Sequence, residues 1–239
     1  MAYTTIDDPS AHFHTQLYTG DGNSTKAITN DGNSDLQPDL IWTRRRDSAN
    51  STHASDTSRG ITKNLATNNT NAESTDATIH ASVQSDGFTV GDAGSVNANS
   101  GTYVSWQWKA NGGTTSSNSE GTITSTVQAN TTAGFSIVTY TGNGTNGAYV
   151  GHGLSSAPNI VMIKNRSAAD AWRVGFSAFS NDMVLNDTSA SAAYNAGRIG
   201  DLLSTKFELG GSGSFDSTNV NSENYVAYCF TSIQGYSKI

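Results

Sequence analysis

Cysteine, proline, cationic side chains and long apolar runs are all scarce in this chain. Cys229 is the one cysteine in 239 residues, so no disulfide can form within the chain. Its place inside YVAYCF reads as a small buried hydrophobe rather than a nucleophile. Lys and Arg number 13 against 20 Asp and Glu, and the formal net charge of -7 excludes a surface built to neutralise phosphates. Nucleic acid is therefore not an expected partner. No apolar run approaches a membrane span, and MAYTTIDDPS lacks the cationic-then-apolar order of an export signal, so neither a membrane nor a signal peptide is expected. Stretches of Ala, Leu, Glu and Lys at helical period are missing too, which excludes a helical bundle.

What remains is turn and strand chemistry. Short Val, Ile, Thr, Tyr and Phe runs recur between punctuation by Gly, Asn and Asp, the pattern of many short strands, and the fold class is all-β. The runs also repeat. LYTGDG at 17–22 matches TYTGNG at 139–144, and QPDLIWTRRRDSA at 37–49 matches APNIVMIKNRSAA at 157–169. SDGFTVG at 85–91 then answers STKFELG at 204–210, and NSGTYVSWQW at 99–108 answers NSENYVAYCF at 221–230. Four blocks in one order predict two tandem jelly-roll or lectin-like β-sandwich units arising from an internal duplication. The boundaries read as a first unit over 1–110 with an N-terminal arm, a polar linker with a bridging strand over 111–133, and a second unit over 134–239. Trp42 and Met162, and likewise Trp106 and Tyr228, are expected at equivalent positions.

Each block has a structural task. Gly-Asn-Gly tolerates positive φ in a tight turn. Pro38 and Pro158 lead into apolar runs that read as buried strands, since proline is accommodated at a strand's first residue. In the last block Val104, Trp106 and Trp108 share one strand face, as do Val226, Tyr228 and Phe230 in the second copy, and this face is expected to be the core. A sugar-stacking role for Trp106 or Trp108 is the alternative. DSANSTHASDTSRG at 47–60 reads as an exposed loop.

Candidate chemistry is sparse. Hydrolysis of a glycosidic bond needs two facing carboxyls, whereas Asp21, Asp31, Asp86 and Asp92 sit in turn contexts. No G-x-S-x-G elbow is present, and His152 in GHG reads as a turn residue. His12 and His14 in HFH alternate onto one side of an extended segment, so two imidazoles could reach one ion, but a polar strand flanking Phe13 is the simpler reading. TRRRD at 43–47 reads as a solvated strand end. No catalytic residue, cofactor site or metal site is expected.

The segments MAYTTIDDPSAHFHTQLYTGDG, AITNDGNSDLQPDLIW, SDGFTV, AGFSIVTYTGNGT, VGHGLSSAPNIVMIKNR and YVAYCFTSIQGYSKI together carry a resemblance that covers nearly the whole chain. The chain resembles a family of bacteriophage virion proteins, common in phages of marine bacteria and labelled tail-fibre or structural proteins. The resemblance implies a β-sandwich displayed on a virus particle and brings no active site with it. TRRRD departs from the IKNR-like strand end that the second copy keeps. The expected function is a non-enzymatic structural protein of the particle, a short tail fibre, adaptor or surface decoration. The alternative is a lectin-like module recognising host surface glycans. Expected partners are other virion proteins and further copies of the chain, a trimer by analogy with phage fibres. Host contact would fall on the loops at 47–60 and 188–197, where Tyr194 could stack on a sugar ring.

Overall fold

The computed structural model describes residues 5–178, 182–188, 198–210 and 217–239. Its regular structure is nearly all β, in antiparallel sheets. Two compact units divide the chain: Asp7–Asn69 with Glu73–Gly113, and Thr114–Ile239 with Met1–Ile6 and Thr70–Ala72.

In the first unit the strands are β1 (Phe13–Thr19), β2 (Lys26–Ile28), β3 (Leu40–Arg45), β4 (His53–Asp56), β5 (Lys63–Ala66), β6 (Ser74–Thr75), β7 (His80–Gln84), β8 (Gly87–Val90) and β9 (Thr102–Trp108). One helical turn, α1 (Gly94–Asn97), precedes β9. A six-stranded sheet runs β1-β9-β3-β4-β5-β6 and a three-stranded one β2-β8-β7. Ile41 from the larger sheet and Phe88 and Val90 from the smaller share one core with Ile28, Ile79 and Val96, so the two sheets pack face to face. Phe88 and Val90 are fully buried, and each contributes on the order of 1.5–3 kcal/mol by leaving water.

The second unit contains β10 (Ser116–Asn118), β11 (Ser125–Asn130), β12 (Phe135–Thr141), β13 (Ala148–Gly151), β14 (Ile160–Asn165), β15 (Arg173–Phe176), β16 (Met183–Val184), β17 (Ile199–Leu202), β18 (Lys206–Leu209) and β19 (Asn224–Phe230). Its sheets run β10-β11-β12-β19-β14-β15-β16 and β13-β18-β17. Val138, Tyr140 and Tyr225 of the larger sheet meet Val150, Phe207 and Leu209 of the smaller one in its core. The alternating TITSTVQA segment supplies β11, which pairs with β10 and β12.

Strand pairing follows the repeated blocks. Trp42 lies opposite Trp106 where β3 pairs with β9, and Met162 lies opposite Tyr228 where β14 pairs with β19. Both prolines stand two residues before their strands, and the residue between closes the sheet's end. The amide of Asp39 donates to Trp108 O at 2.8 Å, and that of Asn159 to Phe230 O at 2.7 Å.

Two expectations are corrected. In β9 it is Tyr103, Ser105 and Gln107 that are fully buried, while Trp106 and Trp108 are half-buried on the opposite face. Alternation defines two faces without ranking them, and the inner one is chosen by partners. Tyr18 stacks on Tyr103 at 5.0 Å, and Gln107 donates to Asn30 Oδ1 at 2.7 Å. In β19 both faces are buried through Ala227, Tyr228 and Cys229. The segment 47–60, expected as an exposed loop, contains β4, all four residues of which are buried. The polar side chains of β4 are buried because each has a partner: His53 meets Asn64 and Ser95, Ser55 meets His80, and Asp56 meets Arg59.

Candidate functional site

Residues carrying chemistry gather in two kinds of place: a hydrogen-bonded knot that occurs in each unit, and a polar centre beneath β4.

The knot forms where the Tyr-Thr-Gly turn meets the loop before the last strand. In the first unit Asn97 is fully buried, its Oδ1 accepts from the Asp21 amide at 3.0 Å, and its Nδ2 donates to Asp21 Oδ1 at 3.2 Å and Asn23 O at 3.0 Å. In the second, Asn219 is fully buried, Oδ1 accepts from the Asn143 amide at 2.9 Å, and Nδ2 donates to Asn143 Oδ1 at 2.9 Å and Thr145 O at 2.8 Å. Beside each asparagine stand two stacked tyrosines: Tyr18 on Tyr103 at 5.0 Å and Tyr140 on Tyr225 at 5.1 Å. Tyr18 Oη donates to Val96 O at 2.9 Å and Tyr140 Oη to Thr218 O at 2.7 Å. Burial raises both phenols above their ordinary range. Gly22 and Gly144 hold φ of 69° and 68°, the left-handed conformation that glycine adopts freely.

The strand ends beside the knots differ. Asn165 Nδ2 donates to Glu223 Oε2 at 2.5 Å and lies 3.4 Å from Tyr225 Oη. The arginine-rich segment puts Arg45 in the corresponding place. Its guanidinium lies 5.9 Å from the Tyr103 ring centre, donates to Gly94 O at 3.1 Å, and pairs with Asp47 at 2.6 Å. Asp47 Oδ2 accepts from the Thr102 amide, as Ser167 Oγ does from the Asn224 amide. Arg45 and Asp47 thus reproduce the closure of the strand end with different atoms.

The polar centre of the first unit was not legible in the sequence. His80 is fully buried, with Nδ1 3.0 Å from Ser55 Oγ and Nε2 2.9 Å from Thr43 Oγ1. Burial pushes its imidazole down to about 3, with nearby His53 adding to the effect. His53 reaches Asn64 Oδ1 at 3.1 Å and Ser95 Oγ at 2.9 Å, and burial lowers its pKa as well. A serine hydroxyl against an imidazole is the beginning of a nucleophile and base, yet Ser55, Thr43 and His80 have no exposed surface through which a substrate atom could reach them. Nearby, Arg59 Nε pairs with Asp56 Oδ2 at 2.5 Å and Nη1 with Glu73 Oε2 at 2.7 Å. Asp39 accepts from Thr57 Oγ1 and from the amides of Ala110, Gly112 and Gly113, all within 2.9 Å. These are cross-links between strands and loops.

The residues singled out from sequence take varied places. His14 Nε2 lies 3.1 Å from Gln16 Oε1 and 3.0 Å from Asp31 Oδ1. Desolvation and then Lys109 lower the pKa of His12. Among the described residues no group of three His, Cys, Asp or Glu side chains is placed to hold a metal ion. His152 is fully buried, accepting from the Leu154 amide at 3.1 Å and reaching Leu203 O at 3.0 Å. Cys229 is buried, and desolvation pushes its thiol up to about 12. Tyr194 lies outside the described residues.

A family model described as a domain of unknown function, DUF7483, matches residues 8–239, and the chain belongs to that family. No curated protein and no solved structure matches it.

Proposed function

We propose that this member of the DUF7483 family is a non-enzymatic structural protein of a bacteriophage particle, a short tail fibre, adaptor or surface decoration. Two tandem jelly-roll or lectin-like β-sandwich units, arisen by internal duplication, form its body. One observation carries the reading: the knot around Asn97 recurs atom for atom around Asn219, with the same tyrosine pair and the same glycine conformation. Such repetition duplicates a scaffold, and the buried His80, Asp56 and Asp39 of the first unit are likewise occupied in holding strands and loops together. The location on a virion rests on the sequence resemblance, and other virion proteins and copies of the chain are the partners it implies. The test is peptide mass spectrometry of gradient-purified particles, with antibody labelling to place the protein on head or tail. Its absence from particles that infect normally would refute the proposal.

A second reading, glycan recognition, is favoured by the half-burial of Trp42 and Trp106, which leaves indole surface on the outer face of the six-stranded sheet. A glycan array probed with the purified protein tests it. Binding that survives Trp106→Ala would remove that face from recognition.

A further inference from the structure

We infer that β1 is an interaction edge, and that its occupant is the β1 strand of a second copy, paired antiparallel across a two-fold axis. The inference goes beyond the virion reading and stands on the strand itself.

β1 pairs with β9 along all seven residues in continuous register and ends its sheet. At its two ends the Gly20 amide donates to Gly101 O and His12 O accepts from the Lys109 amide. Even-numbered residues therefore turn their backbone toward β9, and Phe13, Thr15, Leu17 and Thr19 turn theirs to the open side. One of those outward groups has a local substitute: Leu17 O accepts from Gln16 Nε2 at 3.0 Å. Thr15, Leu17 and Thr19 are exposed, Leu17 to 55%.

The second unit displays what completes such an edge. Its counterpart β12 carries β11 on the corresponding side, with Asn130 opposite Phe135, Gln128 opposite Ile137 and Thr126 opposite Thr139. No strand lies there on β1 among the described residues. Natural edges are guarded by lysine, proline or a bulge, and β1 has none of them. A second β1 fits for a reason of symmetry. With Thr15 opposite Leu17 of the other copy, and Phe13 opposite Thr19, all four outward residues meet outward residues. The four are uncharged, so no like charges oppose each other across the axis. The pairing is two-fold, and it replaces the trimer expected from the resemblance by a dimer, or by an even-numbered assembly of such dimers.

In this register Gln16 faces Gln16 of the other copy at a non-hydrogen-bonded position, where Cα atoms come within disulfide range, about 4.5 Å. The experiment uses the full chain at tens of micromolar. Light scattering of the wild type is expected to give a dimer or an even multiple. Thr15→Lys with Leu17→Lys, which sets lysines opposite each other, should raise the dissociation constant at least about tenfold with an unchanged circular dichroism spectrum. Gln16→Cys should form an inter-chain disulfide on mild oxidation, and exposed Ser24→Cys should not. A monomeric or trimeric wild type, or Gln16→Cys cross-linking no faster than Ser24→Cys, overturns the inference. If the lysine variant fails to fold, the cysteine comparison still decides. A dimer that is missing from purified particles would refute the virion reading while leaving this one intact.

Discussion

Asn219→Ala is the most direct probe of the knot. The side chain is fully buried and makes three hydrogen bonds, two of them to backbone groups, the Asn143 amide and the Thr145 carbonyl. Each such bond contributes about 1 kcal/mol net, and truncation also leaves the Asn143 amide and Thr145 carbonyl without this partner. The expected loss is about 3 kcal/mol. For a unit of this size that lowers the midpoint of its thermal transition by roughly 10 °C. Asn97→Ala breaks the same set of bonds in the first unit and should cost a similar amount. Differential scanning calorimetry at pH 7.5 can follow the unfolding of each unit, and urea titration read by circular dichroism supplies the free energies. A loss below about 1 kcal/mol in both variants would show that these bonds do not hold the turn. A large loss in one and none in the other would refute the equivalence of the two knots, and with it the main support for a duplicated scaffold.

Other outcomes follow from the same packing. His80 has a folded pKa of about 3, below the ordinary 6.5, so above pH 6.5 folding carries no protonation cost, and between pH 6.5 and 3 stability falls by about 1.4 kcal/mol per pH unit. Urea midpoints measured from pH 7.5 to 4.5 should show this slope, and His80→Asn should flatten it; an unchanged slope would place the titration elsewhere. Gly142→Ala puts a methyl group into the Val220 carbonyl, so it should destabilise by more than about 2 kcal/mol, and a stable variant would refute the close approach. Cys229, buried and with its thiol pushed up to about 12, should react with a thiol reagent at pH 8 only in denaturant; rapid labelling of the native protein would contradict its burial.

Sequence alone determined the class of the fold, because strand length and punctuation are local: Gly22 and Gly144 stand where the chain turns with positive φ, and Pro38 and Pro158 stand just ahead of β3 and β14. It also determined the four repeated blocks, which is why Trp42 and Met162 could be matched before either was placed. Tertiary structure alone decided which face of β9 is the core, since a period of two separates the faces without saying which one meets Tyr18. The burial of β4 was equally illegible: His53 and Ser55 look like loop residues until Asn64, Ser95 and His80, brought from 11 to 42 positions away, satisfy them. The contrast between β1 and β12 has the same origin. Both read as Tyr-Thr strands leading into a glycine turn, and only the pairing shows that β11 covers the edge of one while, among the described residues, no strand covers the other. Alternation and turn chemistry act over a few residues, whereas burial and edges depend on which distant segments arrive.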